Sequence, residues 1–162
     1  MPLPVGARVP DVTLIDHEGR PFPLAELRGR PAVLAFFPLA FTSTCTEEMC
    51  TFDADLRAYE SLGAQVVGIS VDSPFVLAKF RQELGLKFPL LSDFHREAAQ
   101  AFGVLRTAPV GPGLRGVTER AVFVADADGT IRYVWCDPNP SRLPPFEEIR
   151  AAVERVLPAA RG

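Results

Sequence analysis

The stretch Ala32-Val33-Leu34-Ala35-Phe36-Phe37-Pro38-Leu39-Ala40-Phe41-Thr42-Ser43-Thr44-Cys45-Thr46-Glu47-Glu48-Met49-Cys50 decides how the rest of the chain is read. Residues 32–37 are apolar without a break, which suits a strand covered on both faces at the centre of a sheet. Pro38 cannot donate to a ladder, so it marks the end of that strand. From Cys45 the period changes. Cys45, Met49, Phe52, Leu56 and Tyr59 follow one another at spacings of 4, 3, 4 and 3. That spacing predicts one buried face of a helix over 45–62, with Gly63 as its stop. Sites in open α/β sheets form beyond the carboxyl ends of strands, where such a strand hands over to such a helix.

Working outward, strand-like and helix-like runs alternate, so an α/β domain is expected. Val12 to Ile15 reads as a short strand closed by the turn Asp16-His17-Glu18-Gly19. Pro23 to Leu27 reads as a helical turn. Gln65 to Val71 and Phe88 to Leu91 are further strands. Ala121 to Ala125 and Ile131 to Trp135 form a hairpin across Asp126-Ala127-Asp128-Gly129. A helix over 75–84 follows the N-cap and first-position pair Ser73-Pro74, with Val76, Phe80 and Leu84 turned inward. A weaker helix is expected over 95–102. Another closes the chain over 145–157, with Phe146, Ile149, Val153 and Val156 inward. Residues 106–118 hold two Pro and three Gly and read as loop. With no internal repeat and no linker, residues 1–162 are expected to fold as a single domain.

Composition narrows the function. A chain of 162 residues can remove about 70% of its unfolded surface from water. Hydrophobic residues at 48% and charged residues at 23% exclude disordered and collagen-like classes. A net charge of -3 lacks the footprint of a duplex nucleic-acid binder, so no nucleic-acid partner is expected. Met1 to Pro10 carries no apolar run of signal-peptide type, and residues 31–41 are too few to span a bilayer. No membrane partner is expected, and a cytoplasmic location follows.

Cysteine usage gives the first chemical clue. Three cysteines, Cys45, Cys50 and Cys136, are too few and too odd in number for a secreted disulfide scaffold, and in a reducing compartment they rest as thiols. His17 and His95 lie far from them in sequence, and no C-x-x-C or H-E-x-x-H spacing occurs, so no metal is expected. A cysteine in a first helical turn faces free backbone N–H groups and the positive end of the helix dipole, which both favour thiolate over thiol. Taken alone, Cys45 reads equally well as a small buried hydrophobe.

Pro38-x-x-x-Thr42-x-x-Cys45 resembles the active-site motif of the peroxiredoxins, thiol peroxidases of thioredoxin fold. Pro10-Asp11-Val12-Thr13-Leu14, Gly68-Ile69-Ser70-Val71-Asp72-Ser73, Phe88-Pro89-Leu90-Leu91-Ser92-Asp93 and the Arg120-led strand extend the likeness over residues 8–157. The resemblance implies a thioredoxin-like fold, a central mixed β-sheet flanked by helices. It implies an enzyme that reduces hydrogen peroxide and organic hydroperoxides, with no flavin, haem or metal cofactor. Cys45 would be the nucleophile, oxidised to sulfenic acid. The Thr42 hydroxyl would accept a peroxide proton and donate to the thiolate. Arg120 would be brought beside Cys45 to favour the thiolate and hold the leaving oxygen. Pro38 would shield the site from water. Glu48 would orient Arg120, or else simply complement the helix dipole. For Thr42 the bland alternative is an N-cap, although Ser43 and Thr44 are better placed for that.

Turnover requires a resolving thiol. The C-x-x-x-x-C spacing of Cys45 and Cys50 resembles the Q-type, or bacterioferritin-comigratory, branch, in which the second cysteine of the same helix resolves the first. Five helical residues separate two Cα atoms by about 8.6 Å, whereas a disulfide tolerates about 7 Å. The bond therefore requires the first turns of the helix to unwind. Pro38-Leu39-Ala40-Phe41-Thr42 is also similar to the one-cysteine branch named for alkyl hydroperoxide reductase E, in which an external thiol resolves Cys45. Cys136 is a third option, or a packed strand-end residue. Thioredoxin or a similar dithiol would supply electrons. The family includes homodimers, and no residue pattern here decides between monomer and dimer. A disulfide oxidoreductase of the same fold would want C-x-x-C, which this chain lacks.

Overall fold

The computed structural model describes residues 1–157. Residues 158–162, included in the single-domain expectation, lie outside the described residues. The chain runs β1 (Thr13–Asp16), β2 (Pro21–Pro23), a 3-10 turn (Leu24–Leu27), β3 (Ala32–Phe36), α1 (Ser43–Ser61), β4 (Gln65–Ser70), α2 (Pro74–Leu84), β5 (Leu90–Ser92), α3 (Glu97–Ala101), β6 (Arg120–Ala125), β7 (Ile131–Asp137) and α4 (Phe146–Arg155). The seven strands form one mixed sheet in the order β2-β1-β5-β4-β3-β6-β7.

β3 is central, as its unbroken apolar run requires. It pairs parallel with β4 and antiparallel with β6, and all five of its residues are buried. Alternate residues serve opposite faces. Val33 and Ala35 join the cluster built with Cys45, Met49, Phe52, Leu56 and Tyr59 of α1, Leu77 and Phe80 of α2, and Ile149 and Val153 of α4. Leu34 and Phe36 join the other cluster, where the rings of Phe36, Phe102 and Phe123 meet at centroid distances of 5.0 to 5.8 Å. Gly68 lets α1 settle on the sheet. A Cβ there would stand 2.7 Å from Leu90 Cδ2 and 3.1 Å from Met49 Sδ.

Several local expectations shift. α1 begins at Ser43, not Cys45, and Thr42 occupies the N-cap position in place of Ser43 or Thr44. β2 went unread in sequence because two of its three residues are proline. It survives as an edge strand paired only with β1. In α2, Ser73 accepts from the Val76 N–H as expected, but Val76 itself is exposed, and Leu77 and Phe80 turn inward instead. The weak helix is shorter than expected, because Arg96 adopts a left-handed conformation (φ 62°) and helical geometry begins at Glu97. No helix among the described residues is long and apolar enough to cross a membrane.

Candidate active site

The site lies where β3 ends and α1 begins. β6 runs antiparallel beside β3, so its first residue, Arg120, arrives at the carboxyl end of β3. The structure thereby joins residues 75 positions apart. Arg120 Nη1 donates to Cys45 Sγ at 3.2 Å and to Glu48 Oε1 at 2.6 Å. Arg120 Nη2 donates to the Pro140 carbonyl at 2.7 Å. Cys45 and Glu48 are 0% exposed and Arg120 is 2% exposed. Glu48 stands three residues after Cys45, one helical turn on, so both reach the same guanidinium.

This buried trio is electrostatically tense. Burial pushes the Glu48 carboxyl up to about 7, against the pull of Arg120. Burial also works against the charge of Arg120. Glu48 first, and then Cys45, outweigh it and hold the guanidinium above its ordinary value. Among the described residues, Glu48 Oε2 and Arg120 Nε have no hydrogen-bond partner.

Pro38 is buried and Thr42 is exposed. With Leu39 and Arg120 they line a cleft of about 270 Å³, which Val110, Pro112 and Leu114 of the 106–118 loop also line. Thr42 Oγ1 donates to the Leu39 carbonyl at 2.9 Å. The hydroxyl thus bonds to its own loop, where the sequence reading had it donate to the sulfur. What the hydroxyl presents outward is its lone pairs. Ala40 is held by the Asp72 carboxylate, which accepts its backbone N–H at 2.8 Å. Phe41 follows with φ 69°. Phe36 and Phe37 are core, Phe41 is half exposed against Phe80, and none of the three lines the cleft.

All three cysteines are free thiols. Cys50 is exposed while Cys45 is fully buried, and the unbroken helix holds them on different sides. Burial, and then the Asp53 carboxylate, push the Cys50 thiol up. Cys136 lies within β7, not beyond it, half-buried against the second cluster. Burial, then Glu119 and Asp137, push its thiol up to about 11, which suits a packed cysteine. Among the described residues, no group of three or more His, Cys, Asp or Glu side chains could hold a metal ion.

Sequence reasoning missed the Pro140 carbonyl and the Asp72 carboxylate. A backbone acceptor leaves no side-chain signal, and Asp72 belongs to a segment matched only as a core strand with its exit.

A mixed sheet of thioredoxin type, with a buried thiol under a guanidinium at a strand-to-helix junction, defines a thiol-dependent oxidoreductase. The AhpC/TSA family profile matches residues 5–134, and the chain belongs to the AhpC/TSA family. A Mycobacterium tuberculosis protein bearing the name peroxiredoxin is 42% identical over 127 residues, 78% of this chain and 80% of the relative. Peroxiredoxin Bcp of Escherichia coli is 33% identical over 137 residues, 84% of this chain and 87% of the relative. The crystal structure of peroxidoxin BcpB from Mycobacterium tuberculosis superposes with TM-score 0.80 at 31% identity, covering 98% of each chain. A Xanthomonas campestris peroxiredoxin Q superposes with TM-score 0.82 at 25% identity, covering 96% of this chain and 98% of that one. The protein is a thiol peroxidase. Peroxiredoxins act on peroxides and are reduced by thioredoxin-like reductants.

Proposed function

We propose that Cys45 carries the peroxidase reaction and that Cys50 resolves it. The observation that carries this reading is the single Arg120 Nη1 shared between Cys45 Sγ and Glu48 Oε1. A guanidinium N–H aimed at sulfur stabilises negative charge on it. The thiolate attacks one oxygen of a hydroperoxide, the O–O bond breaks, and Cys45 becomes a sulfenic acid; the other oxygen departs as alkoxide or hydroxide and takes up the proton the thiol gave away, leaving as alcohol or water. Arg120 holds the charge that develops on the departing oxygen. Thr42 accepts a hydrogen bond from the hydroperoxide O–H through lone pairs that its bond to Leu39 leaves free. Pro38 adds a rigid wall without an N–H that would compete. Glu48 keeps Arg120 in place and is a positioning residue.

Cys50 then attacks the sulfenic sulfur, a disulfide forms and water leaves. Thioredoxin or a similar dithiol reduces the disulfide. Because α1 is continuous from Ser43 to Ser61, its first turns must open for this step. A cytoplasmic site of action is part of the same proposal. So is pairing with a second copy, for which the exposed Phe75 and Phe94 offer apolar surface.

Stopped-flow mixing of the reduced protein with hydrogen peroxide tests the scheme. Cys45→Ser is expected not to react. Cys50→Ser is expected to form sulfenic acid at the normal rate and to fail in recycling by thioredoxin. Mass spectrometry of the oxidised wild type is expected to find a Cys45–Cys50 bond. A persistent Cys45 sulfenic acid would instead assign resolution to an external thiol.

A further inference from the structure

The geometry points to Asp72 as the positioning residue that latches the loop before Cys45 and so governs when α1 opens. This rests on the reading of Cys50 as the resolving thiol. β3 makes its last sheet-type bond at the Phe37 N–H, which donates to Ile69 O at 3.0 Å. Pro38 has no N–H to offer. The Ala40 N–H then leaves the sheet and donates to Asp72 Oδ2 at 2.8 Å. Among the described residues, this is the one hydrogen bond that ties the backbone of residues 38–42 to another strand or its end. The next residue, Phe41, sits at φ 69°, a conformation that a bulky side chain keeps only when held from outside.

Asp72 is itself firmly held. Ser70 Oγ donates to the same Oδ2 at 2.7 Å, and the Asp72 N–H donates to Ser70 Oγ at 3.2 Å. Ser92 Oγ donates to the Asp72 carbonyl at 2.6 Å. The carboxylate is thus a fixed peg on the ends of β4 and β5. A strained loop, tied to a rigid peg by one charge-assisted bond, leads directly into the turns that must unwind.

Once formed, the Cys45 sulfenic acid has two fates. Cys50 can attack its sulfur, forming the disulfide and releasing the sulfenic oxygen as water with the thiol proton. Alternatively, the sulfenate can attack a second hydroperoxide, breaking its O–O bond to give sulfinic acid and an alcohol or water. The first fate needs α1 open, and the second needs the site folded. An engaged Asp72 therefore favours both the initial peroxide reaction and sulfinic acid formation. A released Asp72 favours the disulfide.

The test compares wild type, Asp72→Ala and Asp72→Asn across a hydrogen peroxide series. Mass spectrometry measures the Cys45–Cys50 disulfide against Cys45 sulfinic acid, and hydrogen exchange follows the amides of residues 40–46. In Asp72→Ala we expect faster exchange there, and a first peroxide reaction slowed about tenfold, the worth of one bond to a charged acceptor. We also expect severalfold less sulfinic acid at the dose that converts half of the wild type. Asp72→Asn keeps a neutral acceptor oxygen for Ala40 and should restore part of each of the three readouts. If Asp72→Ala does not fold, Ser70→Ala, which frees the carboxylate, should shift the readouts the same way by less. An unchanged partition in a folded Asp72→Ala or Ser70→Ala, in a protein whose wild type does form the disulfide, overturns the proposal. Absence of that disulfide from the wild type sinks the Cys50 reading instead, and unchanged exchange at 40–46 would then overturn the latch independently.

Discussion

The β6–β7 hairpin carries an arginine–carboxylate pair at each end, and the two differ in everything but length. At one end Arg120 meets Glu48 at 2.6 Å, with side chains 1% and 0% exposed. At the other, Arg132 meets Asp126 at 2.7 Å, with side chains 53% and 11% exposed. Asp126 also accepts the N–H groups of Asp128 and Thr130 and closes the turn. Burial works against its charge, but the Thr130 N–H, then Arg132 and the Asp128 N–H, outweigh that and hold its carboxyl below the usual carboxylate range. Glu48 receives one donor, leaves Oε2 unpartnered, and is pushed the opposite way. A buried pair with orphaned atoms is a poor device for stability, because desolvation offsets its attraction. At the turn it is the carboxylate, with its two backbone donors, that closes the hairpin. The buried pair is built to keep a guanidinium against a sulfur.

The sharpest way to break this contrast is to remove each arginine in turn. Arg120→Met should slow peroxide reduction by about 10²- to 10³-fold, the typical loss of one oxyanion donor. It should also cost about 3 kcal/mol or more of stability, since Glu48 is left alone in the interior. Adding Glu48→Gln to Arg120→Met should return part of the stability and none of the rate, as read by urea melts and stopped flow.

Next in size is pH dependence. Glu48 is raised from an ordinary 4.5 to about 7. The folded state therefore binds a proton that the unfolded state has lost between those values. The stability it contributes is complete below about 4.5 and disappears as pH rises towards about 7, at up to about 1.4 kcal/mol per pH unit. Denaturation of wild type and Glu48→Gln across this window should isolate that slope, which the variant lacks. Asp126 has the opposite sign. Its contribution is present above its ordinary 3.8 and lost as pH falls through its lower folded value, so Asp126→Asn should lose stability at neutral pH but not in strong acid. The smallest effect is expected for Arg132→Met, about 1 kcal/mol or less, with peroxide kinetics unchanged.

The turn pair's hairpin was legible in sequence and the buried pair was not, except through resemblance. Asp126-Ala127-Asp128-Gly129 is a local signal, and Gly129 at φ 85° completes it. The apolar period of α1 and the unbroken run of β3 were legible for the same reason, since burial imposes a local pattern. Nothing local in Arg120 says that it is buried, and nothing in Glu48 separates a dipole partner from an arginine's counterion. Both facts are fixed by β6 lying against β3. Thr42 shows the same limit on a smaller scale. Its place before the helix was readable, but the destination of its proton depends on how the loop through Leu39 folds back.

That destination has a consequence for selectivity. With its hydrogen donated to the Leu39 carbonyl, Thr42 offers a visitor hydrogen-bond acceptors. A molecule bearing an O–H satisfies it, whereas a dialkyl peroxide, whose oxygens are both capped by carbon, brings nothing to share. Under the role proposed for Thr42, hydroperoxides are expected to react and a dialkyl peroxide is not, which stopped-flow mixing with each would show.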